Sequence, residues 1–235
     1  MAKRQFSNFT SVFKKKNSYD CKMMITKGGR TTIDESYNRL KDNLLFLGSN
    51  GINVLQVEAS ISGEGKTTTV CNLGVSLSFN NKKVVIVDFD FRKPKVGLLF
   101  GLEETVGLGD FFANESNFDQ IVKSTEYGVD VITRGKEIHN PSLVLDSHKM
   151  EELMSNLREK YDFVLLDCSP VLLTSDYMHV ARYADGILLV VGSNFTKRTA
   201  VKESVELLKK VNLPIVGSVM TMVESDVVQY GYEKE

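Results

Sequence analysis

Hydrophobic and polar positions follow two regular patterns along most of the chain. Short apolar runs of strand length predict β-strands at 53–58, 83–88, 129–132, 162–167, 186–192 and 214–219. Between them, apolar residues recur at helical spacing and predict helices near 66–80, 147–159, 175–183 and 197–211. Helices that alternate with near-continuous apolar strands are typical of α/β domains with a mainly parallel sheet covered on both faces.

The N-terminal part of the chain departs from this pattern. Residues 1–30 carry eight Lys or Arg and one Asp, interleaved with Phe6, Phe9 and Phe13. Such a segment suits an anionic membrane surface or the tail of a membrane partner, and a solvated flexible tail is the alternative. Thr32 and Glu35 form a capping-box pattern that opens a helix. We therefore divide the chain into a basic tail (1–30), an α/β domain (31–224) and a C-terminal tail (225–235).

The segment 60–67, Ser-Ile-Ser-Gly-Glu-Gly-Lys-Thr, lies between a predicted strand and a predicted helix. Strand, glycine-bearing loop and helix make a cradle of backbone N–H groups for phosphate oxygens. We expect Lys66, on a solvated loop, to reach the β- and γ-phosphates of a nucleotide and Thr67 to hold Mg²⁺. The predicted nucleotide-binding residues are Ser62, Gly63, Glu64, Gly65, Lys66, Thr67 and Thr68.

Aspartates follow two of the predicted strands. Asp88 and Asp90 end the strand at 83–88, and Asp167 ends the strand at 162–167. Ligands bind at the carboxyl ends of strands in open α/β sheets, and Mg²⁺ takes one or two carboxylates together with phosphate oxygens and water. The three carboxylates therefore predict a metal site facing the phosphate loop.

Composition narrows the remaining possibilities. The chain has 235 residues, 42% of them hydrophobic, and a net charge of −1, which gives no argument for nucleic-acid binding. Three widely spaced cysteines suggest reduced thiols in the cytosol. No apolar run approaches the ~20 residues of a membrane span, and the N-terminus lacks the apolar segment of a signal peptide.

Three motifs, taken in order, resemble those of a known family. They are residues 63–69 with 72–74, residues 85–94 with Asp-x-Asp-x-Arg at 88–92, and residues 161–171 with Asp-x-x-Pro at 167–170, extended by 140–142 and Asp176. Over about residues 32–224 the chain resembles the bacterial tyrosine kinases of capsule and exopolysaccharide assembly. The resemblance implies an ATP- and Mg²⁺-dependent protein-tyrosine autokinase on a P-loop NTPase-like fold.

The resemblance also implies roles for single residues. Lys66 would act on the phosphates, and Thr67, Asp90 and Asp167 would support the metal. Asp88 would be the base for the tyrosine hydroxyl, and Arg92 would steady the site or the contact with a neighbouring subunit. The roles of the three aspartates are interchangeable on the sequence alone.

Partners follow from the same resemblance. The family works with a membrane-spanning activator, or polysaccharide co-polymerase, and this chain resembles the split form in which the activator is separate. A homo-oligomer is implied, in the cytoplasm at the inner face of the cell membrane and held there through the partner. Tyr230 and Tyr232 are the implied autophosphorylation sites.

Departures from the family pattern keep two other functions open. Glu35, Asn38 and Lys41 stand where the family has Glu-x-x-Arg-x-x-Arg, which supports ring assembly, and Thr221 stands where it has an adenine-binding Asn. One alternative is a catalytically weak nucleotide-binding scaffold of the same assembly. The other is a partitioning-type P-loop ATPase, a class that usually carries a Lys where this chain has Ile61.

Overall fold

The computed structural model describes residues 23–102 and 105–223. The strands within these ranges are β1 Val54–Ala59, β2 Val84–Phe89, β3 Lys123–Ser124, β4 Asp130–Ile132, β5 Phe163–Cys168, β6 Gly186–Gly192 and β7 Ile215–Thr221. The α-helices are α1 Thr32–Ser49, α2 Lys66–Ser78, α3 Val96–Phe100, α4 Leu108–Phe112, α5 Phe118–Ile121, α6 Pro141–Leu145, α7 His148–Lys160, α8 Asp176–Val180 and α9 Arg198–Lys209, and a 3₁₀ turn covers Ala181–Tyr183.

The strands form one sheet in the order β3-β4-β2-β5-β1-β6-β7. Every neighbouring pair is parallel except β3 with β4. The expected fold class, a mainly parallel P-loop NTPase-like sheet with helices on both faces, is confirmed. Each of the six strands expected from the apolar runs is present, with its ends at most two residues from the expected positions. Among the described residues, no helix combines the length and apolar character that crossing a bilayer requires.

The start of α1 differs from the expectation. Thr31, not Thr32, is the N-cap, and its hydroxyl accepts a hydrogen bond from the backbone N–H of Asp34 at 3.1 Å. The Asp34 carboxylate accepts the N–H of Thr31 at 2.9 Å and that of Thr26 at 3.0 Å. The Thr32–Glu35 capping box was therefore wrong by one residue, because Asp34 also fastens the segment that enters the helix. The short elements α3 to α6 and β3 lack enough periodicity to be expected from sequence.

Two apolar layers cover the sheet. One contains Leu55, Val57 and the buried face of α2, and the other contains Val85, Val87 and the buried face of α7. Helix α2 approaches the sheet closely at Gly74, where an added Cβ would lie 2.7 Å from Cδ1 of Ile86. A side chain at this position would force the end of Ile86 or the helix to shift, so Gly74 lets α2 pack close to the sheet.

Two buried residues of the interior strand β1, Gln56 and Glu58, are polar. Glu58 on β1 has no exposed surface, and Nε2 of Gln56 donates to its Oε1 at 2.6 Å and to the carbonyl of Tyr177 at 3.0 Å. Burial, only partly offset by Gln56 and by the Lys66 charge, raises the pKa of Glu58 to about 8. Glu58 is therefore mostly protonated at neutral pH.

Replacing Glu58 by Gln should remove a pH-dependent loss of stability. The unfolded chain releases the Glu58 proton near its ordinary pKa of 4.5, whereas the folded chain keeps it to about 8. The wild-type free energy of unfolding therefore falls between these two values, because the unfolded state binds fewer protons there. In urea unfolding, Glu58→Gln should gain stability relative to wild type as the pH rises through this range. The surface variant Glu126→Gln should parallel wild type, and a constant offset for Glu58→Gln would contradict the assignment.

Candidate nucleotide and metal site

The loop between β1 and α2 has the geometry of an anion cradle. Gly63 and Gly65 have φ angles of +96° and +83°, which residues with a Cβ rarely adopt. Gly65 is the N-cap of α2, and no side chain in the described part of the chain caps it. The first N–H groups of the helix and its positive dipole end are therefore directed at the mouth of the loop.

Lys66 and Thr67 meet one carboxylate at this mouth. Nζ of Lys66 forms an ion pair with Oδ1 of Asp167, and Oγ1 of Thr67 donates to Oδ2 of Asp167 at 2.8 Å. Lys66 is only 6% exposed, so the expectation of a solvated lysine was wrong. Burial disfavours the charged form of Lys66, but the carboxylates of Asp167 and Asp90 outweigh it and raise the Lys66 pKa. The Lys66 ammonium, which suits a phosphate, and the Thr67 hydroxyl, which suits a metal, thus share the Asp167 carboxylate as their partner.

Asp88 and Asp90 organise the segment that follows β2. The Asp88 carboxylate accepts the backbone N–H groups of Asp90 at 3.1 Å and of Lys95 and Val96 at 3.0 Å each. Asp90 accepts the N–H of Lys93 at 3.1 Å. Burial, reinforced by the nearby charge of Asp167, raises the pKa of Asp88 to about 8. Each aspartate therefore folds the segment 90–96 back onto the end of the strand.

The three aspartates come together as the sequence predicted. Cα of Asp88 pairs with Cα of Asp167 in the β2–β5 register, and Asp90 follows two residues later. Asp88 and Asp167 are fully buried and Asp90 is 8% exposed. Ser169 joins them through a hydroxyl that donates to Oδ1 of Asp90 at 2.9 Å. Sequence reasoning gave Ser169 no role, although its place two residues after Asp167 was a signal.

The side chains at this site suit a metal ion whose coordination is shared with phosphate oxygens and water. No three His, Cys, Asp or Glu side chains within 23–102 and 105–223 are grouped so that they could hold a metal by themselves. Mg²⁺ is normally bound by one or two carboxylates with water and phosphate oxygens completing the octahedron. Thr67, Asp90 and Asp167 carry oxygens beside the phosphate cradle that could complete such a site together with phosphate and water.

The phosphate loop is braced from the other side by Glu64. Its carboxylate, 1% exposed, accepts the N–H of Ile61 at 2.7 Å, the N–H of Gly192 at 3.3 Å and the hydroxyl of Thr196. Oγ1 of Thr221 donates to the Glu64 carbonyl at 2.6 Å. These contacts tie the loop to the ends of β6 and β7. The contacts with Gly192, Thr196 and Thr221 join residues more than 120 positions apart, so no sequence pattern could have found them.

The remaining expected site residues lie on the phosphate loop and the start of α2, after β2, or outside the described residues. Ser62 and Gly63 are exposed on the loop, and Thr68 is half-buried in the first turn of α2. Arg92 is exposed on the segment after β2. Tyr230 and Tyr232 lie outside the described residues.

Comparison with known proteins agrees with this geometry. Residues 52–221 match the family described as AAA domain. The tyrosine-protein kinase YwqD of Bacillus subtilis is 33% identical over 201 residues, which cover 84% of this chain and 85% of that protein.

Solved structures extend the likeness to three dimensions. The chimerical protein CapA2B2 superimposes with a TM-score of 0.80 at 27% identity, covering 83% of this chain and 87% of its own. The kinase domain of the Escherichia coli tyrosine kinase ETK gives 0.75 at 26% identity, covering 85% and 80%. The septum site-determining protein MinD of Pyrococcus horikoshii, solved with Mg-ADP, gives 0.61 at 24% identity over 75% and 76% and shares the fold. The chain therefore belongs to the family of bacterial tyrosine-protein kinases.

Proposed function

We propose that this tyrosine kinase transfers the γ-phosphoryl group of Mg·ATP to tyrosines of its own C-terminal tail. With a membrane-spanning activator, it would regulate the synthesis and export of a capsular or extracellular polysaccharide. The observation that carries the proposal is the double contact of Asp167 with Lys66 and Thr67 at the mouth of the phosphate loop. Phosphoryl transfer asks a protein mainly for positioning and charge neutralisation, and this constellation supplies both.

Each side chain has a part in that proposal. The N–H groups of residues 62–68 and the Lys66 ammonium bind the phosphates, which requires Lys66 to leave Asp167. Mg²⁺, when bound, neutralises phosphate charge, and the Thr67 hydroxyl with Asp90 and Asp167 would hold it and its waters. Arg92 would steady the outer rim.

We assign Asp88 as the base that would accept the proton of the incoming tyrosine hydroxyl. Three backbone N–H bonds fix the position of its carboxylate at the end of β2, next to Asp167 in the strand register. Asp90 is the second candidate, because it is 8% exposed while Asp88 is fully buried.

Two further features bear on the alternatives. Ile61 is half-buried and offers no cation, which disfavours the partitioning-type ATPase. The Thr221 hydroxyl donates to the Glu64 carbonyl, so it braces the phosphate loop, and adenine recognition through it is not part of the proposal. A nucleotide-binding scaffold would bind Mg·ADP but incorporate no phosphate into tyrosine, and that outcome distinguishes it.

Assembly at the membrane is also proposed. The basic composition of residues 1–30 supports docking at the inner face of the membrane through the activator. A homo-oligomer would use the exposed face of α1, where Glu35 and Asn38 are exposed. Lys41 is 9% exposed, and its Nζ donates to Oδ1 of Asn80 at 3.3 Å, so it contributes little to that face.

Lys66→Met should abolish phosphorylation and destabilise the fold. We expect a loss of activity of about 10²–10³-fold, the usual effect of removing one electrostatic contact to the transferring group. Asp167 would be left as a buried unpaired carboxylate, at a cost of about 3–5 kcal/mol. Phosphotyrosine signal and urea unfolding measure the two effects.

A double variant separates these effects. Adding Asp167→Asn to Lys66→Met should restore much of the stability but none of the activity. Lys83→Met, an exposed lysine just before β2, should change neither. Wild-type phosphorylation by folded Lys66→Met would refute the assigned role of the phosphate loop.

Asp88→Asn and Asp90→Asn should respond differently to Mg²⁺. If Asp90 supports the metal, Asp90→Asn should raise the Mg²⁺ concentration needed for half-maximal rate. If Asp88 is the base, Asp88→Asn should lower the rate at saturating Mg²⁺ by about 10²–10⁴-fold. Mg²⁺ titrations of both variants test this, and equal shifts in apparent Mg²⁺ affinity would remove Asp88 as the base.

Most autophosphorylation should fall on Tyr230 and Tyr232. Other tyrosine hydroxyls are engaged in the fold: that of Tyr161 donates to Asp130 at 2.7 Å, and Tyr37 is largely buried with its pKa raised to about 12 by burial. Changing Tyr230 and Tyr232 to Phe should therefore remove most of the label in phosphopeptide mass spectrometry. Tyr183→Phe is the control, and a label that persists elsewhere would favour the scaffold alternative.

A further inference from the structure

A short basic segment borders the aspartate site. We call residues 92–95, Arg-Lys-Pro-Lys, the basic loop. Its backbone is fixed by the site itself, since the N–H of Lys93 is bound by Asp90 and the N–H of Lys95 by Asp88. Nη1 of Arg134 donates to the carbonyl just before the loop at 3.3 Å. The loop is therefore held at the edge of the site.

The side chains of the basic loop are wholly or partly accessible to solvent. Arg92 and Lys93 are exposed and Lys95 is half-buried. None of the three forms an ion pair with any residue in 23–102 or 105–223. Some other cations in those ranges do form ion pairs, as Lys136 does with Glu115 and Arg158 with Asp185. Three unpaired positive charges thus lie next to the three buried aspartates.

We propose that the basic loop binds carboxylates that flank the acceptor tyrosine, so that this kinase selects tyrosines in acidic peptide segments. The inference rests on the proposed kinase function and names its substrate class. Asp88 and Asp90 bind the loop's backbone, so a tyrosine hydroxyl that reaches these aspartates would come close to the basic loop. An extended chain advances about 3.3–3.6 Å per residue, so an acid one to three residues away lies within about 4–11 Å of the tyrosine.

The chain's own C-terminal tail has this composition. The sequence from 224 to 235 contains Tyr230 and Tyr232 with four acids and one lysine, the acids being Glu224, Asp226, Glu233 and Glu235. The inference uses only its sequence, because the tail lies outside the described residues. The positive charges of the basic loop and the negative charges of the tail would therefore attract one another.

Peptide binding tests the inference apart from catalysis. The full chain with Tyr230→Phe and Tyr232→Phe is titrated, with Mg·ADP present, into a fluorescent peptide of residues 225–235 (SDVVQYGYEKE) or its neutral analogue (SNVVQYGYQKQ). The neutral analogue should bind about tenfold more weakly at low salt, as expected for several exposed ion pairs. The difference should shrink at ~500 mM salt because such pairs are screened.

A charge swap separates recognition from structural damage. Lys93→Glu with Lys95→Glu should weaken the acidic peptide to the level of the neutral analogue. It should also favour a peptide in which the acids are replaced by lysine, a preference that misfolding cannot produce. The matched control is Lys82→Glu with Lys83→Glu, at the opposite end of β2, which should leave binding unchanged. Affinity for Mg·ADP should be equal in all variants.

The possible outcomes test the preference for acidic peptides separately from the proposed kinase function. Equal binding of acidic and neutral peptides, or no response to the charge swap, overturns the inference. Phosphorylation of both peptides with equal kcat/KM also overturns it but leaves the kinase function standing. Selective binding of the acidic peptide without phosphate transfer, even with an activator present, supports the basic loop and refutes the kinase proposal.

Discussion

The ion pair of Lys66 with Asp167 is the constraint on which the rest of the site depends. Three carboxylates are buried at neighbouring strand ends, and buried like charges repel strongly unless a cation or a proton compensates them. Lys66 supplies the cation, Thr67 and Ser169 supply hydroxyl donors, and the backbone of residues 90–96 supplies N–H groups. Without these partners the carboxyl ends of β2 and β5 could not lie in a dry interior.

The same arrangement explains how a folded core can also be a reaction site. The partners of Asp167 include the Lys66 ammonium, which also suits a phosphate, and the Thr67 hydroxyl, whose oxygen also suits a metal. In the proposed function, binding of Mg·ATP exchanges these partners of Asp167 for phosphate and metal. Stability and nucleotide binding would then use the same side chains in turn.

The sequence predicted much of the fold because the informative patterns are local. The apolar runs of β1, β2 and β5 mark buried strands whatever they pair with, and the glycines at 63 and 65 mark a loop with positive φ. The aspartates after β2 and β5 could be placed together because parallel strands share one carboxyl edge. The rest depended on distant contacts. The burial of Lys66 requires a residue 101 positions away. The short helix α3 is capped by the carboxylate of Asp88, which accepts the N–H groups of Lys95 and Val96, rather than by a side chain of its own.

The close seat of α2 at Gly74 has a consequence for how the enzyme tolerates change. Gly74 lies eight residues after Lys66, about 12 Å along the helix axis. A side chain at 74 would require the end of Ile86 or the helix itself to shift, and a shift of the helix would displace its anion-binding end as well. Activity could thus be lost through a substitution two turns from any reacting atom, on a residue with no chemical group of its own. The position of the anion-binding end of α2 therefore depends on how closely the helix packs against the sheet beneath it.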